Sequence, residues 1–295
     1  MIKRTLYFGN ECYLSTQKQR LVVRYPNVEE VKTIPIEDIG VVLLDHYRLT
    51  LTSTLLNKLL GNNVAVITCD AQHLPLGMFL NLNGHTLQQE HFTHQIDVTP
   101  AKKDRLWKQV IQAKITNQAT LLERQGLAVP NMHRWIKHVK NGDPDNLEAR
   151  AAGYYWRHLF GEMTFVRKRF GAAPNGLLNY GYTFLRGVVA RALVGSGLLP
   201  TLGIHHHNKY NAYCLADDMM EPYRPFVDEV VLQLVHAGVW ELTPESKQEL
   251  LKIPVLDVHI HQQKSPLMLA VQQTTASLQQ CYAGQRTTLK LPTFV

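Results

Sequence analysis

The sequence predicts an α+β protein, with a small N-terminal β-rich domain followed by a larger C-terminal all-α domain. The N-terminal third contains short runs of β-branched and aromatic residues separated by turn residues, whereas apolar residues in the remainder recur at helical spacing. Residues 81–101 are polar, show little periodicity and end in Thr99-Pro100. We therefore predict a β-rich domain over 1–97 and an α-helical domain over 98–295.

The N-terminal domain is predicted to contain strands and one helix. Thr52 or Ser53 is a suitable N-cap for this helix, because an apolar stripe from Leu55 to Leu60 follows and Gly61-Asn62 ends it. The runs with strand composition are 6–8, 12–14, 21–23, 41–44 and 64–67.

The C-terminal domain is predicted to be built from helices. Pro222, which suits a first helical turn, opens one of them after a predicted loop over 196–221. The apolar stripes of the others run from Leu106 to Leu122, Met132 to Val139, Leu147 through Met163 to Val166, Leu178 to Leu193, and over 266–282.

Composition excludes several classes of protein. With 295 residues, of which 45% are hydrophobic and 19% charged, the chain can bury a core, so disorder is excluded as its main state. No apolar run approaches the roughly 18 residues that a membrane span requires. The N-terminus also lacks the apolar stretch and cleavage site of a secretory signal. We expect a cytoplasmic protein that does not enter a membrane.

Three kinds of motif are missing from the sequence. The four cysteines contain no CxxC pair, which predicts reduced thiols and excludes a zinc ribbon. There is no GxSxG motif, and the glycines of 171–176 do not have the spacing of a phosphate loop. These cysteines are Cys12, Cys69, Cys214 and Cys281.

Basic residues are concentrated in one part of the chain. Residues 1–97 carry 8 Lys/Arg against 9 Asp/Glu, whereas 101–195 carry 16 against 6, a net charge of +10. This field is either a set of solvated helix faces or the binding surface for a polyanion such as DNA. The residues that we predict to contact DNA phosphates are Arg150, Arg157, Arg167, Lys168, Arg169 and Arg191.

Three segments concentrate side chains that bind metals. Glu148 adjoins an apolar row, where a carboxylate needs a partner such as a cation; alternatively, Asp145 and Glu148 form a capping box. The run 205–207 holds three consecutive histidines in a predicted loop, where they either bind a ligand or meet solvent.

The third segment holds Asp217, Asp218 and Glu221 before a predicted helix start. These carboxylates either complement the helix dipole or supply oxygen ligands for Mg²⁺ or Mn²⁺. Glu148, one of the histidines and Glu221 would together form an open three-ligand site able to polarise a phosphate.

A separate pair, His259 and His261, has the HxH spacing of metal-dependent amidohydrolases. The pair lies late in the chain, after a helical run, instead of near its start. Val258 and Ile260 alternate with the two histidines, which predicts a short strand or edge segment whose histidines are structural or face solvent.

Four segments occur in a recognisable order. They are Glu148-Ala149-Arg150-Ala151-Ala152 with Tyr155-Trp156, Leu178-Asn179-Tyr180-Gly181-Tyr182, Gly203-Ile204-His205-His206, and Asp218 with Glu221-Pro222-Tyr223-Arg224-Pro225. This order resembles the CRISPR-associated endonuclease that acts as the integrase of spacer acquisition. The second and fourth segments are most similar to the branch found in type II systems, and the resemblance covers the whole chain.

The resemblance implies a function and a set of ligands. The family's metal ligands correspond to Glu148, His206 and Glu221, with His205 as the alternative histidine, and they imply Mg²⁺ or Mn²⁺ as cofactor. Asp218 would orient a ligand or a metal-bound water. Residues 179–182 would contribute Asn179, Tyr180 and Tyr182 to the site, although tyrosine in a helix also suits the core.

The resemblance also implies partners. The β-rich domain over 1–97 would mediate homodimerisation, and 98–295 would be the metal-binding catalytic domain. Two dimers would be bridged by a small ferredoxin-like adaptation partner dimer, forming a heterohexamer. This assembly would insert short DNA fragments into a CRISPR repeat array in antiviral defence, acting on double-stranded DNA.

Two alternative functions remain open at the level of sequence. The chain could be a non-catalytic DNA-binding scaffold, against which the presence of all three candidate ligands argues. It could also be a metal-dependent hydrolase of small molecules using His259 and His261, against which the basic field over 101–195 argues.

Overall fold

The chain divides into two compact units, Met1–Gln88 and Gln89–Val295. The computed structural model describes residues 3–161 and 165–295. Strands dominate the first unit and helices the second, which confirms the α+β class. The predicted division after residue 97 lies one helix farther along the chain than this boundary.

The first unit holds two sheets and one helix. Its strands are β1 (Arg4–Phe8), β2 (Cys12–Gln17), β3 (Arg20–Arg24), β4 (Lys32–Pro35), β5 (Ile39–Leu44), β6 (Leu49–Leu51), β7 (Ala65–Cys69) and β8 (Pro75–Phe79), and its helix is α1 (Ser53–Gly61). One sheet has the order β1-β5-β7-β8, in which β8 alone runs antiparallel to its neighbour. The other has the order β4-β3-β2-β6, in which β2 and β6 are parallel.

Apolar residues from both sheets and α1 form a core in this unit. β5 is buried on both faces over most of its length, as expected for a strand between parallel neighbours. The Thr52 hydroxyl accepts a hydrogen bond from the Leu55 amide, which confirms Thr52 as the N-cap of α1. Leu55 and Leu59 then point into the core beside Leu14 and Ile39.

The second unit is mainly helical. Its elements are α2 (Gln88–Ile96), α3 (Pro100–Arg124), α4 (Pro130–His138), α5 (Leu147–Leu159), α6 (Asn175–Gly195), α7 (Cys214–Met220), α8 (Arg224–His236), α9 (Pro244–Leu250), β9 (Asp257–Ile260), β10 (Gln263–Pro266), α10 (Leu267–Tyr282) and β11 (Pro292–Thr293). α6 is apolar on nearly all sides and packs against α7, α8, α9 and α10, so it forms the centre of the unit. No helix among residues 3–161 and 165–295 has the length and apolarity needed to span a bilayer.

α3 is the longest helix that the structure describes. Thr99 caps it by accepting a hydrogen bond from the Lys102 amide, and Pro100 occupies the first turn, where a missing N–H is harmless. Its buried face contacts α4, α5 and α8. Because α5 and the segment around Glu221 both pack on this face, α3 is positioned to contribute side chains between them.

Two predicted helix boundaries are wrong. The third predicted helix ends at Leu159 instead of continuing to Val166, because Gly161 has a left-handed backbone with φ 68° and Phe160 is the C-cap. Val166 lies outside any helix and is 59% exposed, while Met163 lies outside the described residues.

The predicted loop over 196–221 contains the short helix α7, and Pro222 does not open a helix. It lies in a 3₁₀ turn, Glu221–Tyr223, that joins α7 to α8. No apolar stripe predicts α7, because its interior faces are partly acidic. Asp217 and Asp218 are both buried and bonded there.

The segment with the HxH spacing is a strand, as the period of two predicts. β9 is the central strand of an antiparallel sheet with the order β10-β9-β11, so it is not an edge strand. Val258 and Ile260 are buried, while His259 is half-buried and His261 is exposed in the turn that follows.

Candidate metal and nucleic-acid site

Glu148 lies in the first turn of α5, and an aspartate holds that turn. Asp143 accepts hydrogen bonds from the Leu147 amide at 3.0 Å and from the Glu148 amide at 2.9 Å. The predicted capping box is wrong, because the N-cap position is Asn146 and Asp145 is exposed in an ion pair with Lys140. The Glu148 side chain is therefore free of a capping role and extends towards α3.

This arrangement predicts different effects for two neighbouring aspartates. Asp143→Ala should lower the free energy of unfolding by about 1 kcal/mol, and the melting temperature by roughly 2 to 4 °C, because two buried amides lose their acceptor. Asp145→Ala, the matched control, should change stability by less than about 0.5 kcal/mol, since its ion pair is exposed. Thermal unfolding of both variants checks this; equal effects would contradict the assignment of the cap.

Asp218 organises the turn that carries the histidines. Its carboxylate accepts hydrogen bonds from the backbone amides of Ile204 at 2.7 Å, His205 at 3.0 Å and His206 at 3.2 Å. A side chain at Gly203 would meet Asp218 Oδ2 at 2.8 Å, so the turn can close this tightly only with glycine there. The Asp218 side chain is completely buried.

The two candidate histidines have different environments. His206 Nδ1 lies 2.5 Å from Asp218 Oδ1, which leaves Nε2 as its second nitrogen. This hydrogen bond, and then the charges of Asp218, Glu221 and Glu148, raise the pKa of His206 against the opposing effect of burial. His205 instead stacks on the buried ring of Trp107 at 4.1 Å between centroids. His206 is thus the histidine that lies near both glutamates.

Glu221 is buried in the 3₁₀ turn between α7 and α8. Its Oε1 accepts a hydrogen bond from Arg224 Nε at 2.7 Å, and its side chain is only 5% exposed. Burial raises the pKa of Glu221, but the charges of Arg224 and Lys114 outweigh burial and lower it to about 2. Glu221 is therefore an anion at every physiological pH.

Lys114 of α3 lies between the two glutamates. Its Nζ is 2.6 Å from Glu148 Oε1 and 2.5 Å from Glu221 Oε2. The residue is 7% exposed. Burial lowers the pKa of Lys114, but the charges of Glu221 and Glu148 outweigh it and raise the value, so the ammonium is charged. Two carboxylates from different elements thus converge on one cation.

These residues match the donors of a divalent cation, with one obstacle. As the side chains lie, no three His, Cys, Asp or Glu residues within 3–161 and 165–295 form a group that could hold a metal. The ammonium of Lys114 lies between the carboxylates of Glu148 and Glu221. However, Glu221 Oε2 is buried and has no hydrogen-bond partner among these residues beyond that ion contact. Two carboxylates and an imidazole are ligands that suit Mg²⁺ or Mn²⁺, so the donor set fits once the ammonium moves.

Two clefts reach this cluster. A cleft of about 410 Å³ is lined by His206, His207, Lys103 and Lys209. A smaller one of about 180 Å³ is lined by polar and charged side chains that include Lys114, Glu221, Arg224, Arg167 and Asp228. Positive charges in both clefts suit a phosphate-bearing ligand.

The residues predicted to contact DNA fall into three groups. Arg150, Arg157, Lys168 and Arg169 are exposed. Arg167 is half-buried and donates to the side chains of Asn175 and Asn179. Arg191 is only 3% exposed in the C-terminal part of α6, which does not suit the predicted contact with DNA at the surface.

Two of the residues suggested to line the site belong mainly to the core. Tyr180 is completely buried, and Tyr182 donates a hydrogen bond to Asp228 while its ring edges the smaller cleft. Tyr155 donates to the other oxygen of Asp228 at 2.8 Å. Burial raises the pKa of Asp228 to about 7.

His259 lies on β9 of the three-stranded sheet and His261 in the turn that follows, apart in sequence and element from the cluster above. We expect the double variant His259→Ala/His261→Ala to keep plasmid nicking and Mn²⁺ affinity near the parent values, because the two histidines alternate with the buried Val258 and Ile260, as structural or solvent-facing residues do. Nicking assays and calorimetry measure both quantities. Loss of both in a variant that still melts cooperatively would favour the small-molecule hydrolase.

Sequence reasoning missed Lys114, Trp107 and Arg224. A signal existed for Lys114, which lies four residues after Val110 and three after Ile111 on the buried stripe of α3. A lysine on an apolar stripe needs an anionic partner. Arg224 is one helical turn after Glu221, the spacing of an i, i+3 ion pair.

Known proteins are similar to this chain in sequence and in fold. The chain matches the family model described as CRISPR associated protein Cas1 over residues 6–252. It is 35% identical over 283 residues to the CRISPR-associated endonuclease Cas1 of Neisseria meningitidis serogroup C (strain 8013), and the match covers 95% of this chain and 92% of that relative.

Solved structures share the fold at lower sequence identity. A casposase bound to integration product has a TM-score of 0.78 and 19% identity, covering 98% of this chain and 92% of that chain. A Cas6-RT-Cas1–Cas2 complex has a TM-score of 0.74 and 20% identity, covering 97% of this chain and 35% of that chain. The family match over most of the chain, together with 35% identity to a relative along nearly its full length, confirms the resemblance and establishes that the chain belongs to the Cas1 family of CRISPR-associated proteins.

Proposed function

We propose that this protein is a metal-dependent DNA endonuclease and integrase that inserts short DNA fragments into a CRISPR repeat array. Membership of the Cas1 family supports this role, as do a relative named an endonuclease and a structural neighbour bound to an integration product. The observation that carries the proposal is the convergence of Glu148 and Glu221 on one cation beside His206.

The proposed ligands are Glu148, His206 and Glu221. A divalent cation, Mg²⁺ or Mn²⁺, would supply a Lewis acid at the attacked phosphodiester. Asp218 holds the His206 ring through Nδ1, so that Nε2 is left to face the ligand. Arg224 fixes Glu221 through Oε1 and leaves Oε2 for the ligand.

The proposed reaction is phosphoryl transfer. A 3′-hydroxyl of the incoming DNA loses its proton and attacks a phosphodiester of the repeat, whose bond to the leaving 3′-oxygen breaks. One phosphodiester bond forms and one breaks, so the joining needs no covalent protein intermediate. The basic walls of the two clefts would hold the DNA backbone while this occurs.

The partners belong to the same proposal. Double-stranded DNA, as spacer precursor and repeat array, would be the substrate. The β-rich part of the chain would mediate homodimerisation, and two dimers would join a small ferredoxin-like adaptation partner dimer into a heterohexamer. One of the structural neighbours is itself a complex of Cas1 with Cas2, which supports an assembly of this kind. The proposed location is the cytoplasm, where the repeat array lies in a bacterial or archaeal cell.

DNA binding should depend on salt through the exposed basic residues. If Arg150, Arg157, Lys168 and Arg169 each neutralise one phosphate, the log–log slope of affinity against salt should be about −4 on duplex DNA. The variant Arg150→Ala/Arg157→Ala should reduce this slope by about 2, whereas Lys32→Ala in the first unit should leave it unchanged. Fluorescence anisotropy over a salt series measures the slope, and a value near zero would contradict the proposed surface.

The test of the proposed function is a joining assay. The protein is incubated with a supercoiled plasmid bearing a repeat, short duplex DNA, Mn²⁺ and the partner protein, and half-site joining is scored. We expect joined product with the parent chain and none with Glu148→Gln. Binding of DNA without joined product, with metal and partner present, would identify the chain as a scaffold instead.

A further inference from the structure

Lys114 occupies the position where the proposed metal would bind. Its Nζ lies 2.6 Å from Glu148 Oε1 and 2.5 Å from Glu221 Oε2. A divalent ion such as Mg²⁺ binds carboxylate oxygens at about 2.0 to 2.1 Å. An ammonium and a metal ion cannot both contact the same two oxygens, since they would then lie within repulsive distance of each other.

The charges of the cluster are balanced without metal. Lys114 and Arg224 offset Glu148 and Glu221; Lys114 and Glu221 are buried, whereas the side chains of Arg224 and Glu148 are 23% and 25% exposed. Adding two positive charges to this neutral cluster would leave an excess that burial makes unfavourable. Moving the ammonium away from the two oxygens lowers its repulsion with the metal ion and frees both ligands.

The structure provides a place for the displaced ammonium. The cleft of about 180 Å³ beside the cluster is lined by Lys114 itself and by Gln118, one turn further along α3. Gln118 Oε1 is buried and has no hydrogen-bond partner among residues 3–161 and 165–295. An unpaired buried acceptor one helical turn from a lysine is well placed to receive its Nζ.

We propose that Lys114 is a displaceable counter-ion: it holds Glu148 and Glu221 in place in the metal-free protein, and it moves to Gln118 in the adjoining cleft when a divalent cation binds. This inference rests on the proposed metal site. It predicts that metal binding and lysine pairing compete for the same two oxygens, so that the affinity for metal is lower than that of the carboxylates alone.

The experiment measures Mn²⁺ affinity by calorimetry, together with the melting temperature with and without Mn²⁺, for the full chain and three variants. Lys114→Met keeps the length of the side chain and removes its charge. It should bind Mn²⁺ at least about tenfold more tightly than the parent, since no ammonium must be displaced. Its metal-free melting temperature should fall, because two carboxylates lose their partner, and Mn²⁺ should raise it by more than in the parent.

Two further variants separate the causes. Lys108→Met removes a lysine from the same helix that has no role in the cluster, and it should leave Mn²⁺ affinity unchanged. Gln118→Leu removes the acceptor proposed for the displaced ammonium. It should weaken Mn²⁺ binding several-fold while leaving the metal-free melting temperature unchanged or higher, and it tests the proposal even if Lys114→Met does not fold.

The outcomes distinguish this inference from the proposed function. Equal Mn²⁺ affinity in the parent and Lys114→Met, or equal affinity in the parent and Gln118→Leu, would overturn the displacement while leaving the metal site intact. No Mn²⁺ binding by either the parent or Lys114→Met would overturn the metal site, and the displacement with it. If Lys114→Met binds Mn²⁺ and the parent does not, the Lys114 ammonium excludes the metal completely, which supports the displacement.

Discussion

Glu221→Gln is expected to reduce the rate of half-site joining by at least about a thousandfold. Loss of one metal ligand should remove several kcal/mol of stabilisation from the attacked phosphate, and about 1.4 kcal/mol corresponds to each factor of ten. Glutamine keeps the shape of the side chain, so the effect on folding should be smaller than that of alanine. The rate is measured from the appearance of joined plasmid, in a variant that still melts cooperatively.

The same loss is expected for Glu148→Gln and His206→Ala. Glu229→Ala is a matched control, because Glu229 pairs with Arg124 away from the cluster and should retain joining. If His206→Ala joins DNA and His205→Ala does not, the ligand is His205. Retained joining in both histidine variants would mean that neither is a ligand.

Asp218→Asn is expected to cause the largest combined loss of stability and activity. The completely buried carboxylate accepts three backbone amides and the His206 ring, and asparagine has only one acceptor oxygen. Leaving buried donors unpaired costs about 1 to 3 kcal/mol each. A total of about 3 kcal/mol would lower the melting temperature by roughly 6 to 12 °C.

Activity should fall in Asp218→Asn as well, because a residue that orients a metal-bound histidine is typically worth about 10- to 100-fold in affinity or rate. Asp217→Asn is the control. Asp217 is buried next to it but pairs with Arg186 and Asn211, not with the histidine turn. It should lower the melting temperature without lowering Mn²⁺ affinity. Equal Mn²⁺ affinities in the two variants would contradict the role of Asp218.

Local sequence patterns predicted an element well where residues within or next to that element determine where it begins and ends. The sequence predicted the N-cap at Thr52, because a cap depends on residues a few positions apart. For the same reason the apolar stripes predicted α3, α4, α6 and α10. Gly161 is a signal in the sequence for the end of α5. It was missed because the apolar spacing continued to Val166, and spacing alone does not reveal a left-handed residue.

Contacts between distant residues explain what the sequence could not predict. Asp145 and Asp143 are both suitable caps by type, and only the folded backbone selects Asp143. From the sequence, the acidic residues of 217–221 could have complemented the dipole of the following helix. The structure instead gives each buried carboxylate a separate partner, in Arg186, the histidine turn and Arg224.

In the candidate site, too, local patterns predicted some features, whereas contacts between distant residues determine others. Residue types and order indicated Glu148, a histidine and Glu221, with His206 favoured and His205 as the alternative. In the structure His206 Nδ1 is hydrogen-bonded to the Asp218 carboxylate, whereas the His205 ring stacks on Trp107. Lys114 lies 34 residues before Glu148 and contacts it only through the packing of α3 on α5, so no local pattern reports their pairing.

Anomalous diffraction from crystals of the protein soaked in Mn²⁺ tests the central claim most directly. The account predicts a peak bonded to Glu148 Oε1, Glu221 Oε2 and His206 Nε2, with the Lys114 ammonium moved away from both carboxylates. A peak at His259 and His261, or Mn²⁺ bound elsewhere while Lys114 still bridges the two glutamates, would contradict it.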